Sequence, residues 1–231
     1  MISRLSGRRV RPIAFFSQVL TTLYSVFPHV EGVTSYARAT TLAKKRIEDL
    51  KRIHQAGLTR LHVGLETGDR ELLSEMRKGA TPEEMVEGGK KAKEAGFEYS
   101  LYVLLGIGSE DRWEQHAKGS AEVLNRIDPD FIRVRTLIPQ PNSPLYDAQI
   151  EGRFKLSSPE TILKETRLLL KGLDVTSHFL SDHVSNLLPL EGKLPEERDG
   201  MVQRIEDALR RLKEDIAWKE EMEARRHLTS L

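Results

Sequence analysis

Glu66 closes the stretch RLHVGLE (60–66), in which Leu61, Val63 and Leu65 alternate with Arg60, His62 and Gly64. An unpaired carboxylate is costly to bury, so a glutamate at the end of a half-apolar run asks for a partner or a ligand. FIRVRTLI (131–138) offers Arg133 and Arg135 on the same kind of alternation, and EYSLYVLL (98–105) offers Ser100 and Tyr102. The guanidinium groups can hold an anionic substrate, or pair with Glu66 in an ion network that is only structural. His62 can serve as an acid or base, or be a satisfied interior histidine. LLGIGSED (104–111) looks like a phosphate loop, but it is not GxGxxG and lacks the lysine of GxxxxGK[ST]. Its physical content is that Gly106 and Gly108 let a backbone approach a ligand closely. Asp182 and His183 form a possible acid/base pair beside Asn186, in a proline-containing stretch where such residues also serve as turn formers.

These residues need elements to position them, and the alternation supplies them. Strand-like runs at EGVTSYAR (31–38), TRLHVGLE (59–66), FEYSLYVLL (97–105) and DFIRVRTLI (130–138) are separated by helix-like runs. They recur at intervals of roughly 35 residues, the rhythm of parallel βα units. Thr81 with Glu84 reads as a capping box, and Gly57 and Gly96 read as helix terminators. In a doubly wound sheet both strand faces lie under helices and read as continuously apolar. Here one face is apolar and the other carries polar groups, which predicts a barrel-like sheet around a wet lumen that binds at its C-terminal end. Past residue 150, SSPETILKETRLLLKGL reads as a capped helix and residues 199–226 as one long amphipathic helix. The expected architecture is therefore α/β, a partial (β/α) barrel of about four parallel strands over 1–150 with a helical C-terminal extension over 151–231.

Composition narrows the chemistry. With 36 basic against 35 acidic side chains, the chain has no general attraction for nucleic acid or an anionic membrane, so a small-molecule substrate is expected. Zero cysteines exclude disulfides, thiolate nucleophiles, zinc–thiolate sites and a cysteine-held iron–sulfur cluster in these 231 residues. The N-terminal run has the outline of a secretory signal, but Phe15, Val19, Leu23 and Phe27 recur as on a helix face, which predicts a cytoplasmic amphipathic helix.

Taken together, RLHVGLETGDRELLSEMRKG, YVLLGIGSEDRWE and NRIDPDFIRVRTLIPQPNSPLYD resemble the fourth-, fifth- and sixth-strand motifs of the radical S-adenosylmethionine superfamily, over about residues 14 to 150. The resemblance implies S-adenosylmethionine as cofactor and a [4Fe–4S] cluster held by CxxxCxxC, a motif absent from this chain. It places Glu66 near the cofactor ribose, Lys78 near its carboxylate, and Gly106 and Ile107 beside adenine. Tyr36, Arg38, His62, Tyr102, Arg133 and Arg135 fall around the substrate lumen, with Tyr36, Arg38 and Tyr102 departing from the family's usual polar or acidic residues. The chain then reads as part of a longer enzyme, inactive alone, with no catalytic residue and no metal ligand of its own. A cluster-free binding or structural module, and a non-redox barrel lyase using His62 and Glu66, are the alternatives. A four-stranded half-barrel would also leave EGVTSYAR as an open edge prone to self-association.

Overall fold

In the computed structural model, which describes residues 12–226, helix α1 (Pro12–Val26) precedes β1 (Val33–Ala37), α2 (Ala39–Lys44), α3 (Ile47–Gln55) and β2 (Leu58–Glu66). The chain continues through α4 (Arg70–Glu75), α5 (Pro82–Glu94), β3 (Glu98–Leu105), α6 (Ser109–Ile127) and β4 (Phe131–Thr136). It ends with α7 (Pro144–Ile150), α8 (Pro159–Gly172), β5 (His178–Leu180), β6 (Glu191–Lys193), α9 (Arg198–Glu214) and α10 (Ile216–Arg225). The strands form one sheet in the order β1-β2-β3-β4-β5-β6. Pairing is parallel from β1 to β5, and β6 runs antiparallel to β5. β1 and β6 are its two edges, so the sheet does not close on itself among the described residues.

The four strands expected from alternation are present within a few residues, and the structure adds two. β5 and β6 lie in the segment read as a helical extension, so the sheet continues past residue 150 as five parallel strands and one antiparallel strand. The long C-terminal helix is also two helices. Asp215 ends α9 in an extended conformation and its carboxylate caps α10 by accepting from the Trp218 N–H.

Local chemistry accounts for most helix boundaries. The capping box of α5 is complete: the Glu84 N–H donates to Thr81 Oγ1 and the Thr81 N–H donates to Glu84 Oε2. Ser158 caps α8 ahead of Pro159, and Asp69 caps α4 through the Leu72 N–H. Gly57 and Gly96, with φ of 108° and 98°, follow the ends of α3 and α5.

The sheet's apolar face carries the core. Leu61, Val63 and Leu65 of β2, Leu101, Val103 and Leu105 of β3, Ile132 and Val134 of β4, and Phe179 of β5 are all buried. Helix α3 packs on β2, while α5 and α8 pack on β3. Burying one such side chain contributes about 1.5–3 kcal/mol, so the helix layer fixes which strand face remains polar. A one-residue slip would exchange the two faces.

Candidate functional site

The polar face is assembled by register. Tyr36 of β1 lies opposite His62 of β2, His62 opposite Ser100 of β3, Gly64 opposite Tyr102, and Tyr102 opposite Arg133 of β4. Three rings from three strands gather there. Tyr36 and His62 have centroids 5.5 Å apart, His62 and Tyr102 5.9 Å, and Tyr36 and Tyr102 stack at 6.4 Å. The Arg135 guanidinium sits 5.0 Å from the Tyr102 ring centroid, a cation–π contact. The register thus brings His62, Tyr102, Arg133 and Arg135, which share the alternation's polar face, onto one surface, with Tyr36 of the edge strand beside them. Tyr36 is 76% exposed, because it stands on the edge strand.

The segment between β5 and β6 completes this surface. Asp182 forms a 3.3 Å ion pair with Arg133. His183 shares a 2.8 Å hydrogen bond with Ser185 Oγ and lies close enough to Arg135 to feel its charge. Asn186 does something different: it is buried, accepts from the Thr136 N–H at 2.8 Å and donates to the Val134 carbonyl at 2.9 Å. It ties this segment to the end of β4 as a structural clasp.

Electrostatics follow from burial and from crowding by cations. The His62 imidazole is held below its ordinary pKa, first by burial and then by Arg60 and Arg133. His183 is lowered in the same direction, by burial and then by Arg135, with Asp182 opposing. The Tyr102 phenol is pushed up, mainly by burial and next by Tyr36. Three buried polar atoms of this face have no protein partner: His62 Nδ1, Ser100 Oγ and Arg133 Nε. Such atoms cost about 1–3 kcal/mol each when unsatisfied, and their convergence on three adjacent strands marks the face as a place for polar ligands.

At the C-terminal end of β2 the chain turns sharply. Glu66 adopts φ of 60°, the Thr67 N–H donates to the Leu65 carbonyl, and the register with β3 shifts between Gly64 and Glu66. This turn carries the Glu66 carboxylate to Lys78 Nζ at 2.8 Å, with both side chains about a quarter exposed. Arg133 and Arg135, the other candidate partners of Glu66, are engaged elsewhere, with Asp182 and Tyr102. Beside the Glu66–Lys78 pair is a hollow of about 300 Å³, lined by Arg38, Thr40, Gly64, Arg77, Lys78 and neighbouring apolar residues. Arg38 thus belongs to this hollow and to the adjoining groove along β1.

Gly106, with φ of 83°, lies at the end of β3, but its N–H is committed to the buried Glu165 carboxylate at 3.0 Å. The Ile107 side chain is buried and its N–H points to the Leu104 carbonyl. Any ligand beside these two residues would be met through other atoms. Glu165 belongs to a network that sequence reading missed. His116 Nε2 lies 3.0 Å from Glu165 Oε1, though too far off line for a hydrogen bond, and His116 Nδ1 shares a 2.8 Å hydrogen bond with Thr67 Oγ1. Both side chains are fully buried. Their signal in the sequence is faint: a histidine and a glutamate at inward positions of otherwise regular amphipathic helices.

Among the described residues no group of three or more histidine, cysteine, aspartate or glutamate side chains is arranged to hold a metal ion. None of their helices is long and apolar enough to cross a membrane.

Residues 13–118 match the family described as the Radical SAM superfamily. Biotin synthase of Maridesulfovibrio salexigens is 29% identical over 147 residues, covering 60% of this chain and 44% of that protein. Among solved structures, the archaeal Elp3 of Methanocaldococcus infernus superposes with a TM-score of 0.56 at 15% identity, covering 77% of this chain and 42% of that one. Methylornithine synthase superposes with a TM-score of 0.51 at 20% identity, covering 86% of this chain and 63% of that one. These structural likenesses establish the fold. The chain spans less than half the length of the curated relatives it matches.

Proposed function

Given that residues 13–118 match the Radical SAM superfamily, we propose that the chain is the cofactor- and substrate-holding part of a radical S-adenosylmethionine enzyme. In intact form such an enzyme would reductively cleave S-adenosylmethionine and abstract hydrogen from a substrate on the polar face. The observation that carries this reading is the convergence of Tyr36, His62, Tyr102, Arg133 and Arg135 on one face, next to a Glu66–Lys78 pair and a cationic hollow.

The residues present do not fit the cluster of that family. A [4Fe–4S] cluster is held by cysteine thiolates, and the chain has none. Its ligands must come from outside these 231 residues, and the chain alone is inactive. The cofactor's organic part fits better. Lys78 and Arg38 offer cations to a carboxylate, and Glu66 offers acceptor oxygens to hydroxyl groups. Gly64 keeps that approach open.

Two measurements test this. Isothermal titration of the chain with S-adenosylmethionine is expected to show binding that falls about tenfold or more in Lys78→Met, the weight of one charge-assisted hydrogen bond. Anaerobic reconstitution with iron and sulfide is expected to give no cluster absorbance. A stoichiometric cluster, or an affinity unchanged in both Lys78→Met and Glu66→Ala, overturns the reading.

The missing cysteines equally favour a second reading, a cluster-free descendant that binds without redox chemistry. The genomic sequence around the coding region separates the two: an in-frame or adjacent CxxxCxxC segment supports the enzyme, and its absence supports the module. A non-redox lyase working through His62 and Glu66 has less behind it. Glu66 is engaged by Lys78, His62 is flanked by aromatic rings, and among the described residues the sheet does not close into a barrel.

A further inference from the structure

Among the arginines of the polar face, charge balance is uneven. Arg60 is paired with Glu98 at 2.7 Å and Arg133 with Asp182 at 3.3 Å. Arg135 has no carboxylate within ion-pairing distance among the described residues, and its guanidinium rests on the Tyr102 ring. A guanidinium held on an aromatic face keeps its N–H donors free for a planar oxyanion. His183, whose shift is toward the neutral imidazole, adds no second positive charge beside it.

Beside this cation lies a flat surface. The Tyr36 and Tyr102 rings stand 6.4 Å apart with 28° between their planes, bridged by His62. Such rings stabilise another planar group through offset or edge contacts. Beneath them, Ser100 Oγ is fully buried without a protein partner, and so are Arg133 Nε and His62 Nδ1 on the flanking strands. The surface thus offers a free cation at one end, aromatic contact in the middle, and unspent polar atoms at its floor.

We propose that this face binds a small oxyanion joined to a planar ring, with the anion on Arg135 and the ring against Tyr36 and Tyr102. The proposal deepens, and rests on, the reading of this face as the substrate site. A carboxylate and a phosphate ester share the required chemistry. Asp182 and Glu98 set a limit on the ligand's charge by neutralising the neighbouring arginines, so the site takes one anionic group.

The test is ligand-observed NMR on the full chain, with phenylacetate, phenyl phosphate, cyclohexylacetate and benzylamine as probes. Phenylacetate or phenyl phosphate is expected to bind, and the tighter of the two identifies the source of the oxyanion. Cyclohexylacetate is expected to bind several-fold more weakly and benzylamine not at all. Arg135→Gln is expected to lose at least about tenfold in affinity for the anionic probe, the equivalent of one charged hydrogen bond. Tyr102→Leu is expected to erase the difference between phenylacetate and cyclohexylacetate, and Arg153→Gln, on the exposed surface, to change nothing. Circular dichroism checks that each variant is folded. Benzylamine binding as well as the anions, or anion affinity retained in Arg135→Gln, overturns the proposal. Titrating S-adenosylmethionine into the same samples keeps the two readings apart: cofactor binding without anion binding defeats only this proposal, and anion binding without cofactor binding defeats only the family role.

Discussion

Glu66 Oε1 and Lys78 Nζ meet at 2.8 Å directly over Gly64, where a Cβ would stand 2.0 Å from that carboxylate oxygen and 3.0 Å from the ammonium. The glycine is what lets the pair close across the end of β2. A Gly64→Ala chain is expected to fold, because the clashing atoms are the far ends of flexible side chains and can swing aside. Its stability should change by less than about 1 kcal/mol, the ordinary worth of a partly exposed ion pair. Cofactor affinity should nevertheless fall as it does in Lys78→Met. Thermal denaturation and calorimetric titration on the same variant check both halves of the prediction.

The buried network makes the opposite prediction, a large stability effect. Glu165 accepts from the Gly106 N–H and stands against His116, with no exposure of either side chain. Glu165→Ala would leave the buried Gly106 N–H without its acceptor and a void beside His116, and an unsatisfied buried donor together with such a cavity costs about 2–5 kcal/mol. Glu165→Gln keeps an acceptor for Gly106 and turns an amide donor toward His116 Nε2, so its cost should be nearer 1 kcal/mol. Urea denaturation gives the difference. Hydrogen exchange at Gly106 should accelerate far more in the alanine variant.

These two sites show where sequence was legible. The Leu61–Val63–Leu65 and Ile132–Val134 alternations decided two faces at once, because a strand has period two and burial of one face leaves the other free for polar groups. β5 and β6 were hidden because three residues carry no period, and HFL and EGK sit among turn-forming residues. The pairing of Glu66 with Lys78 escaped because it depends on a positive φ at Glu66, which is uncommon outside glycine and leaves no mark in composition. His116 and Glu165 lie 49 residues apart on regular helices, and only the packing of α6 on α8 brings them together.

Acidification should destabilise the polar face. His62 and His183 both have folded pKa values below the ordinary 6.5. Between each folded value and 6.5, the unfolded chain binds more protons than the folded one, so stability rises with pH through that window and levels off above it. As pH falls below 6.5, stability is lost until the folded-state histidines themselves protonate. His62→Gln should flatten part of this slope. NMR titration of the imidazole carbons should place both midpoints under 6.5, and a midpoint above it for His62 would contradict the burial and arginine crowding that lower it.

The edge of the sheet carries the last prediction. Among the described residues β1 pairs only with β2, so one side of Val33–Ala37 presents backbone N–H and C=O groups to whatever adjoins it. An apolar groove of about 470 Å³ runs beside it, lined by Phe16, Leu42, Leu50 and Leu61, and Phe15, Val19 and Tyr36 are exposed nearby. Open strand edges next to apolar surface invite pairing with other chains, and a lysine on the edge discourages it. The chain is therefore expected to self-associate through β1 as concentration rises, and Thr34→Lys, at an exposed position of that strand, to shift it toward monomer. Size-exclusion chromatography with light scattering measures this. A wild-type monomer across a wide concentration range, with the β1 amides slow to exchange, would mean that the edge is already satisfied within the chain.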